Sequence, residues 1–477
     1  MSITTQQYQH RTPKSRAHFG AAATRLPGGV TRSLNAWPPY PVYIVSGQGK
    51  YLTDLDGNTY RDFLCNYTAL PLGYTNEAVT SAVANTLTTG TVYSFSGGLE
   101  LSLAQQLLDR IPAMQRIRFT SSGTEAVMFA LRLARASTGR SKIAKAEGGY
   151  HGTIDDVMVS NRPPADLAGP ADRPTSVPEM LGIPKSRVDG TIIVPFNHVE
   201  ASEAILRHHH DDLAALILEP MLGVGGMIPA DRSYLRRMRE LCDELGIVLI
   251  FDEVITLRLA VGGAQSLYEV TPDLTTMGKI IGGGLPIGAY GGRADLMSLL
   301  EPSGGTDVYD SRSGGPALYQ GGTFTGNALS LAAGIAALDQ LNTDLLARLN
   351  ERGDELRDTL NAQLRSIDAP ACVTGMGSLF NVHIGPRRVE SFRDLRAVDS
   401  AAQQDFFLAM LNRGFVLAAR GMGCISAKHD LDDIRDFIDA AVDAAREFFS
   451  SKPLTTLDPR PEAANPADAT LEAHLWT

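Results

Sequence analysis

Short, continuously apolar runs separated by helical segments constrain the fold of this chain more than any other feature. The runs are "IRFT" near residue 117, "KIAKAE" near 142, "LAALILEP" at 213 and "GIVLIFDEV" at 246. Strands that are buried on both faces have continuous apolar sequences, so the pattern indicates parallel strands covered by helices on both sides. The predicted fold class is α/β, with a mostly parallel central sheet in a large domain.

The regions on either side of these runs predict further parts. Residues 43–63 alternate apolar and polar positions around the turn signal "DGN", which is typical of a β-meander, and the polar residues 1–25 predict an arm or a short helix. The Pro-, Asp- and Ser-rich stretch 160–190 predicts a surface loop or lid. The predicted divisions are an N-terminal arm and β-meander (1–74), a large cofactor-binding domain (75–325), a smaller α/β C-terminal domain (326–450) and an extended or disordered tail (451–477).

Charge and cysteine usage exclude several function classes. The formal net charge of −10 argues against nucleic acid or an anionic membrane as a partner, and no apolar stretch is long enough to span a bilayer. The four cysteines lack CxxC spacing and the start lacks a secretory apolar segment, which indicates a cytoplasmic protein with reduced thiols. We expect no metal site, because adjacent residues such as His208, His209 and His210 do not share a helix face.

The segment 116–139, "RIRFTSSGTEAVMFALRLARASTG", predicts a strand that leads into a helix. One apolar face of that helix carries Ala126, Phe129, Ala130 and Leu133. Before it, "SSGT" would place free N–H groups and hydroxyls at the helix N-terminus, where a phosphate is favoured. The alternative is a plain capped helix, since Ser and Thr are common N-caps.

Two ionisable residues lie where chemistry is expected. Asp252 ends the buried run "GIVLIFD", and ligands bind at the carboxyl ends of strands in open α/β sheets. Lys279 stands in "TTMGKIIGGGLPIGAYGG" without a neighbouring acid, and a desolvated lysine is a competent nucleophile for a cofactor aldehyde. The alternatives are a helix-capping aspartate and a lysine paired to a distant acid.

The order of these elements resembles that of the class III, fold-type I pyridoxal-phosphate aminotransferases. The resemblance covers about residues 25–450. Within the family, the chain resembles the branch that contains glutamate semialdehyde aminomutase and the β-amino-acid transaminases. The motifs that carry it, in chain order, are "SSGTEA", "GGYHG", "ILEP", "FDEV", "GKIIGGGLPIGAYGG" and "GGTFTGN". It implies pyridoxal 5'-phosphate as cofactor and a homodimer with shared active sites.

The resemblance also implies roles for particular residues. Lys279 would bind the cofactor aldehyde as a Schiff base and then carry the proton, and Asp252 would keep the pyridine nitrogen protonated. The further cofactor contacts that it implies are Ser122, Gly123 and Thr124 at the phosphate, Tyr150 and Val254 on the two ring faces, Glu219 as a nearby carboxylate, and Thr323 at the phosphate of the neighbouring subunit.

The predicted reaction moves an amino group from an amino acid, a β-amino acid or ω-amine, to a keto acid through pyridoxamine phosphate. The segment "GGVTRSLNAW" resembles that of β-amino-acid transaminases, in which an arginine at the place of Arg32 binds the substrate carboxylate; aminomutases have theirs nearer the place of Asn35. The stretch after "YHG" is also longer and richer in Pro than the aminomutase gating loop. Arg420 would be a second carboxylate contact and Tyr67 would line the substrate pocket.

Three alternatives stay open. The chain could be a glutamate-1-semialdehyde 2,1-aminomutase, which moves the amine within one carbon skeleton. Arg32 and Arg420 could each form a surface or interface ion pair, and Tyr67 could be a structural core residue. A catalytically inactive relative that binds the cofactor for regulation is the non-enzyme alternative, although intact Lys279 and Asp252 argue against it.

Overall fold

The computed structural model describes residues 2–302 and 317–450, so the predicted tail 451–477 lies outside the described residues. The helices are α1 (Ile3–Arg11), α2 (Pro13–Ala22), α3 (Cys65–Thr68), α4 (Glu77–Leu87), α5 (Gly98–Arg110), α6 (Gly123–Thr138), α7 (Lys185–Asp189), α8 (Val199–His209), α9 (Arg232–Leu245), α10 (Gly263–Tyr268), α11 (Ala294–Met297), α12 (Ala328–Gln340), α13 (Thr343–Ser366), α14 (Ser400–Asn412) and α15 (Leu431–Ser450). The strands are β1 (Ile44–Gln48), β2 (Tyr51–Asp54), β3 (Thr59–Asp62), β4 (Arg116–Thr120), β5 (Lys142–Ala146), β6 (Thr191–Val194), β7 (Leu213–Leu218), β8 (Met221–Leu222), β9 (Ile228–Pro229), β10 (Val248–Asp252), β11 (Leu274–Gly278), β12 (Gly288–Gly292), β13 (Ala371–Met376), β14 (Leu379–Ile384), β15 (Phe415–Val416) and β16 (Met422–Cys424).

The central sheet has seven strands in the order β4-β12-β11-β10-β7-β5-β6. The strands from β11 through β6 run parallel, whereas β12 is antiparallel to both of its neighbours. Every residue of β7 and β10 is buried, as their continuous apolar sequences predict. The α/β class and the mostly parallel sheet are therefore confirmed.

Helices cover both faces of this sheet. The predicted face of α6, formed by Ala126, Phe129, Ala130 and Leu133, is buried in one core cluster with residues of β7 and β10. Helix α9 closes the opposite face with side chains such as Tyr234 and Leu235. Each fully buried large apolar side chain stabilises the fold by about 1.5–3 kcal/mol. These two interfaces therefore hold in place the strand ends at which the candidate site lies.

Three strands of the central sheet were not predicted from the sequence: β6, β11 and β12. Strand β12 reads "GAYGG", and its glycines allow backbones to approach closely. A Cβ on Gly288 would lie 2.0 Å from the Ser122 carbonyl oxygen, and one on Gly292 would lie 2.0 Å from that of Asp273. This strand is specified by close packing and not by apolar side chains.

The meander predicted at 43–63 is present as β1-β2-β3, and its third strand pairs in parallel with β15 from near the C-terminus. The predicted N-terminal arm consists of α1 and α2. A separate sheet, β13-β14-β16, packs with α13 and α14, whereas α12 packs on α4 and α5. The domain boundaries given above stay a prediction.

The stretch 160–190 is irregular apart from α7, as a loop prediction requires, but it is closely packed. Ser160, Ala168 and Val177 are buried. At its start, the buried Lys145 donates to the Val159 carbonyl (2.9 Å) and to Asn161 Oδ1 (3.0 Å). These contacts attach the beginning of the stretch to the central sheet.

Candidate active site

Three segments that are distant in sequence meet at the carboxyl edge of the central sheet. They are the start of α6 after β4, the turn after β10, and the turn after β11. A Cβ on Gly123 would lie 3.0 Å from Val254 Cγ2, and one on Gly278 would lie 3.5 Å from the Gly123 Cα. The fold thus brings the predicted phosphate segment, Val254 and the neighbour of Lys279 into contact.

Lys279 begins the turn after β11 and has a left-handed backbone, with φ of 49°. Burial lowers the pKa of its ammonium group from 10.5 to about 8, and the nearby carboxyl groups of Asp252 and Glu219 oppose that shift. A lysine with this pKa is partly unprotonated near neutral pH. It can therefore act as a nucleophile and as a proton acceptor.

Asp252, at the end of β10, is buried and accepts hydrogen bonds on both oxygens. Its Oδ2 lies 2.9 Å from His151 Nδ1, and its Oδ1 accepts from the Val254 N–H at 3.1 Å. Burial lowers the pKa of His151, so a neutral ring that donates from Nδ1 fits this pair. His151 Nε2 is buried without a hydrogen-bond partner among the described residues.

His151 is a site residue that the sequence analysis did not single out. The available signal was its place in "GGYHG", directly after Tyr150. Its partner, however, lies 101 positions further along the chain, and only the strand order brings the two together.

Glu219 follows β7 and anchors the half-buried Tyr150. Its Oε1 accepts from the Tyr150 N–H at 2.9 Å, and its Oε2 accepts from the Gly223 N–H at 3.0 Å. Burial, followed by the nearby Asp252, raises the pKa of Glu219 from 4.5 to about 8. Glu219 therefore holds a proton at neutral pH.

The start of α6 offers unused donors. Ser122 Oγ accepts from the Glu125 N–H at 3.2 Å, as an N-cap does, and the Ser121 N–H donates to Glu125 Oε2. The N–H groups of Gly123 and Thr124 donate to no other described residue. Free N–H donors at the positive end of a helix of 16 residues favour a phosphate.

These residues fit an aldehyde that carries a phosphate and a basic ring nitrogen. The helix start supplies phosphate donors, Lys279 supplies the amine, and Asp252 has lone pairs left for a protonated ring nitrogen. The chemistry of the donors therefore matches pyridoxal phosphate, and each type of group lies in a separate part of the site.

A cavity of about 990 Å³ opens beside the lysine turn and is lined by Ile280 and Gly283 on that side. Arg32 and Tyr67 lie on its wall. The Arg32 guanidinium lies 5.7 Å from the centroid of the Tyr67 ring, and the Tyr67 hydroxyl donates to the Leu34 carbonyl at 3.2 Å. Among the described lining residues, Arg32 is the only arginine or lysine.

The other two predicted residues lie away from this cluster. Arg420 is exposed, and it directly follows Ala418 and Ala419, which line the cavity. Thr323 lines a second cavity of about 910 Å³, beside the exposed Tyr93 and Phe95. Thr323 therefore lines a different cavity from Arg32 and Tyr67.

Within residues 2–302 and 317–450, no cluster of three His, Cys, Asp or Glu side chains has the arrangement of a metal site. No helix in the same ranges is both long and apolar enough to cross a membrane.

Comparison with known proteins shows one family and two kinds of relative. The profile of the family Aminotransferase class-III matches residues 34–440. A glutamate-1-semialdehyde 2,1-aminomutase from Methanothrix thermoacetophila is 40% identical over 438 residues, which are 91% of this chain and 96% of the relative.

Two solved structures are similar over comparable lengths. The first is an omega-transaminase from Sphaerobacter thermophilus, with a TM-score of 0.84, 38% identity, and coverage of 91% of this chain and 97% of that one. The second is a beta-phenylalanine aminotransferase from Variovorax paradoxus, with a TM-score of 0.81, 34% identity, and coverage of 92% and 95%.

Proposed function

The chain belongs to the class III aminotransferases, and from that membership we propose that it moves an amino group on a carboxylate-bearing substrate, with Lys279 as the proton carrier. The cofactor of this family is pyridoxal phosphate. The observation that supports the proposal most is the buried group of Lys279, Asp252 and Glu219 beside the cavity. This group contains an amine with a pKa lowered to about 8, a carboxyl group at Glu219 with a pKa raised to about 8, and the buried Asp252 beside them.

Each residue would perform one task. Gly123 and Thr124 would bind the phosphate through their N–H groups, and Asp252, oriented by His151, would hold a proton on the ring nitrogen. When bound, the cofactor supplies an aldehyde that exchanges with amines and a ring that withdraws electrons. The Lys279 amine would take the proton from the substrate carbon and return it. Val254 would exclude water from one side.

We propose glutamate-1-semialdehyde 2,1-aminomutase activity as the first reaction to test. The curated relatives support this alternative better than the intermolecular transamination that the sequence predicted first. The aminomutases from Methanothrix thermoacetophila and Methanosarcina acetivorans share 40% and 39% identity with this chain over nine-tenths of its length. The single carboxylate of such a substrate would bind Arg32, and the reacting carbons would face Lys279.

A second candidate is transamination of a β-amino acid with a keto acid. It is favoured by the position of Arg32 on the cavity wall, where the β-amino-acid branch has its carboxylate-binding arginine. The omega-transaminase and the beta-phenylalanine aminotransferase named above are also similar over the whole fold. In this case Arg32 and Arg420 would bind the carboxylates of donor and acceptor.

Nitrogen labelling separates the two candidates. The cofactor-loaded protein is given labelled glutamate-1-semialdehyde, or a labelled β-amino acid together with 2-oxoglutarate or pyruvate. An aminomutase forms the labelled isomer without an added keto acid, whereas a transaminase transfers the label to the keto acid.

If no amine bleaches the yellow colour of fully loaded protein, the proposed function is wrong. Arg32→Ala should weaken the use of either carboxylate substrate.

We also propose a homodimer with shared sites. Tyr93 (48% exposed) and Phe95 (87%) line the same cavity as Thr323, and the exposed Phe324 (63%) directly follows Thr323 in the chain. Large apolar patches of this kind mark interfaces. A second copy placed on this surface would bring its Thr323 near the phosphate donors.

A further inference from the structure

Four consecutive residues beside the substrate cavity have left-handed backbone conformations. In α3, the φ angles of Cys65, Asn66, Tyr67 and Thr68 are 49°, 50°, 55° and 73°. A run of non-glycine residues in this region is energetically unfavourable, and such strain persists only where the surroundings enforce it. Strain of this kind is concentrated at functional sites, so α3 is a candidate for a functional role.

Buried polar groups hold this turn from both ends. At its start, Asp62 Oδ1 accepts from the N–H groups of Leu64 (2.7 Å) and Cys65 (3.0 Å), while Oδ2 accepts from the Tyr74 hydroxyl at 2.5 Å. These contacts fix the direction in which the chain enters α3.

At its end, the fully buried Arg258 donates to the Thr68 carbonyl at 3.0 Å. The same guanidinium donates to Ser378 Oγ at 3.1 Å and to the Ile425 carbonyl. The turn is therefore attached to the C-terminal sheet region as well as to the large domain.

The turn directs two side chains toward Arg32. Tyr67 lies under the guanidinium, and Asn66 Oδ1 accepts a hydrogen bond from Arg32 Nη1 at 2.9 Å. Asn66 is an uncharged partner, and Arg32 makes no salt bridge with any residue that the structure describes. The exposed Arg32 is thus oriented at the cavity wall by a neutral group, without a salt-bridge partner among the described residues.

We propose that Asn66 is a specificity-determining residue, which orients Arg32 through a neutral amide so that the cavity selects amines that carry a carboxylate. The proposal rests on the proposed function in taking such amines as substrates. Asparagine suits both demands, since it tolerates a left-handed backbone better than most residues and its amide oxygen carries no charge. A carboxylate at the same position would bind Arg32 as a salt bridge and compete with the substrate.

Asn66→Asp tests this directly, because aspartate has nearly the same shape and also tolerates the left-handed turn. The two probes are 3-amino-3-phenylpropanoate and 1-phenylethylamine, which differ only in the carboxylate. The readout is the rate at which each amine bleaches the absorption of the loaded protein, as kcat/KM. We expect the ratio of the two values to fall by about 10-fold or more in Asn66→Asp, mainly through a higher KM for the carboxylate amine.

Two further variants make the result specific. Asn66→Gly keeps the backbone conformation without adding a charge, and should lower the ratio less than Asn66→Asp does. Gln363→Glu, which adds a charge on α13 outside the cavity, should keep the wild-type ratio. Unchanged melting temperatures show that the variants fold.

The outcomes distinguish this inference from the proposed function. If wild-type protein prefers the carboxylate amine and Asn66→Asp keeps that preference, the role of Asn66 is refuted while the enzyme assignment stands. The same holds if Asn66→Gly and Asn66→Asp lower the ratio equally, because charge is then not the cause. If wild-type protein reacts with neither probe but converts glutamate-1-semialdehyde, or reacts with both probes equally, the selection of carboxylate amines through Asn66 is refuted while the enzyme assignment stands. If loaded wild-type protein reacts with neither probe and not with glutamate-1-semialdehyde, the proposed function itself fails.

Discussion

Lys279 and Glu219 occupy one buried environment, so the charge of each influences the other. The carboxyl group favours the protonated lysine, and the lysine favours the ionised carboxyl group. Both groups titrate near pH 8, which places their proton exchange close to neutral pH. Only the unprotonated lysine amine can react with an aldehyde.

This coupling predicts how the protein without cofactor takes up pyridoxal phosphate. The rate of uptake should rise with pH through about 8 in wild type. In Glu219→Gln the midpoint should move to lower pH, because the variant lacks the carboxyl group that favours protonated Lys279. Uptake at pH 7, where Glu219 is protonated, should stay close to wild type, whereas above pH 8, where Glu219 ionises in wild type, uptake by the variant should be roughly 2- to 5-fold faster.

The measurement is the growth of the yellow absorption after mixing at several pH values. Glu200→Gln, an exposed residue on α8, is the matched control and should follow wild type. A midpoint that moves upward in Glu219→Gln would contradict the coupling.

At the scale of single residues, the sequence could predict which kinds of residue form the site, but not all the contacts between them. Lys279 and Asp252 are unusual in their local sequence, which made them recognisable. The His151–Asp252 and Arg32–Asn66 contacts join residues far apart in the chain and depend on tertiary geometry, so no local sequence pattern predicts them.

At the scale of elements, one arginine connects the C-terminal region to the cofactor side. Arg393 lies in a 3-10 turn, Phe392–Ala397, and forms a bidentate salt bridge with Glu147 at 2.8 and 2.9 Å. It also donates to the carbonyls of Ala168, Gly169 and Pro170. Glu147 directly precedes the "GGYH" segment that carries Tyr150 and His151.

Removing this link should destabilise the protein. Breaking a buried ion pair costs about 3–5 kcal/mol, and because 17% of the Arg393 side chain is exposed we expect about 2–3 kcal/mol for Arg393→Ala. Urea unfolding at pH 7 measures this free energy. Arg388→Ala, in an exposed pair on the same loop, should change it by less than about 0.5 kcal/mol. If Arg393→Ala and Arg388→Ala change the free energy of unfolding equally, the stabilising role of the Arg393–Glu147 salt bridge is refuted.

Strand β12 gives a second prediction at this scale. Gly288→Ala would place a methyl group on the Ser122 carbonyl, so the start of α6 must shift. We expect a loss of about 1–3 kcal/mol in unfolding free energy, together with weaker cofactor binding.

Calorimetric titration of the cofactor-free protein and urea unfolding measure the two effects. Gly20→Ala, on α2 with no atom within 4 Å of the added methyl group, should lose neither stability nor cofactor affinity. Normal cofactor binding by Gly288→Ala would show that this contact does not set the phosphate site.

The elements themselves were predicted to different degrees. Strands with continuous apolar runs and the amphipathic α6 followed from periodicity, because burial dictates those side chains. Strand β12 did not, because its specificity lies in the missing side chains of glycine. The stretch 160–190 was predicted as a loop, but its close packing was not, since its anchors, Lys145 and Arg393, come from other parts of the chain.

At the scale of the whole molecule, the exposed apolar surface predicts assembly. Phe95→Arg would place a charge at the centre of the proposed interface, so we expect a shift from about twice the chain mass of 51.2 kDa toward the mass of one chain. Sedimentation velocity measures this mass. Cofactor affinity should fall with it, since Thr323 of the second copy would be lost.

Ile3→Arg is the matched control, because Ile3 is 75% exposed on the N-terminal arm. It should sediment like wild type. Phe95→Arg that stays at the wild-type mass would show that the apolar surface is not the interface.

The pairing of β3 with β15 has a consequence for synthesis of the protein. The two strands come from opposite ends of the chain, yet they lie side by side next to α3 and the cavity wall. A ribosome must release nearly the entire polypeptide before this wall can close. The part of the cavity wall that contains Asp62 and Val416 is therefore completed late, and a chain terminated before β15 would lack it.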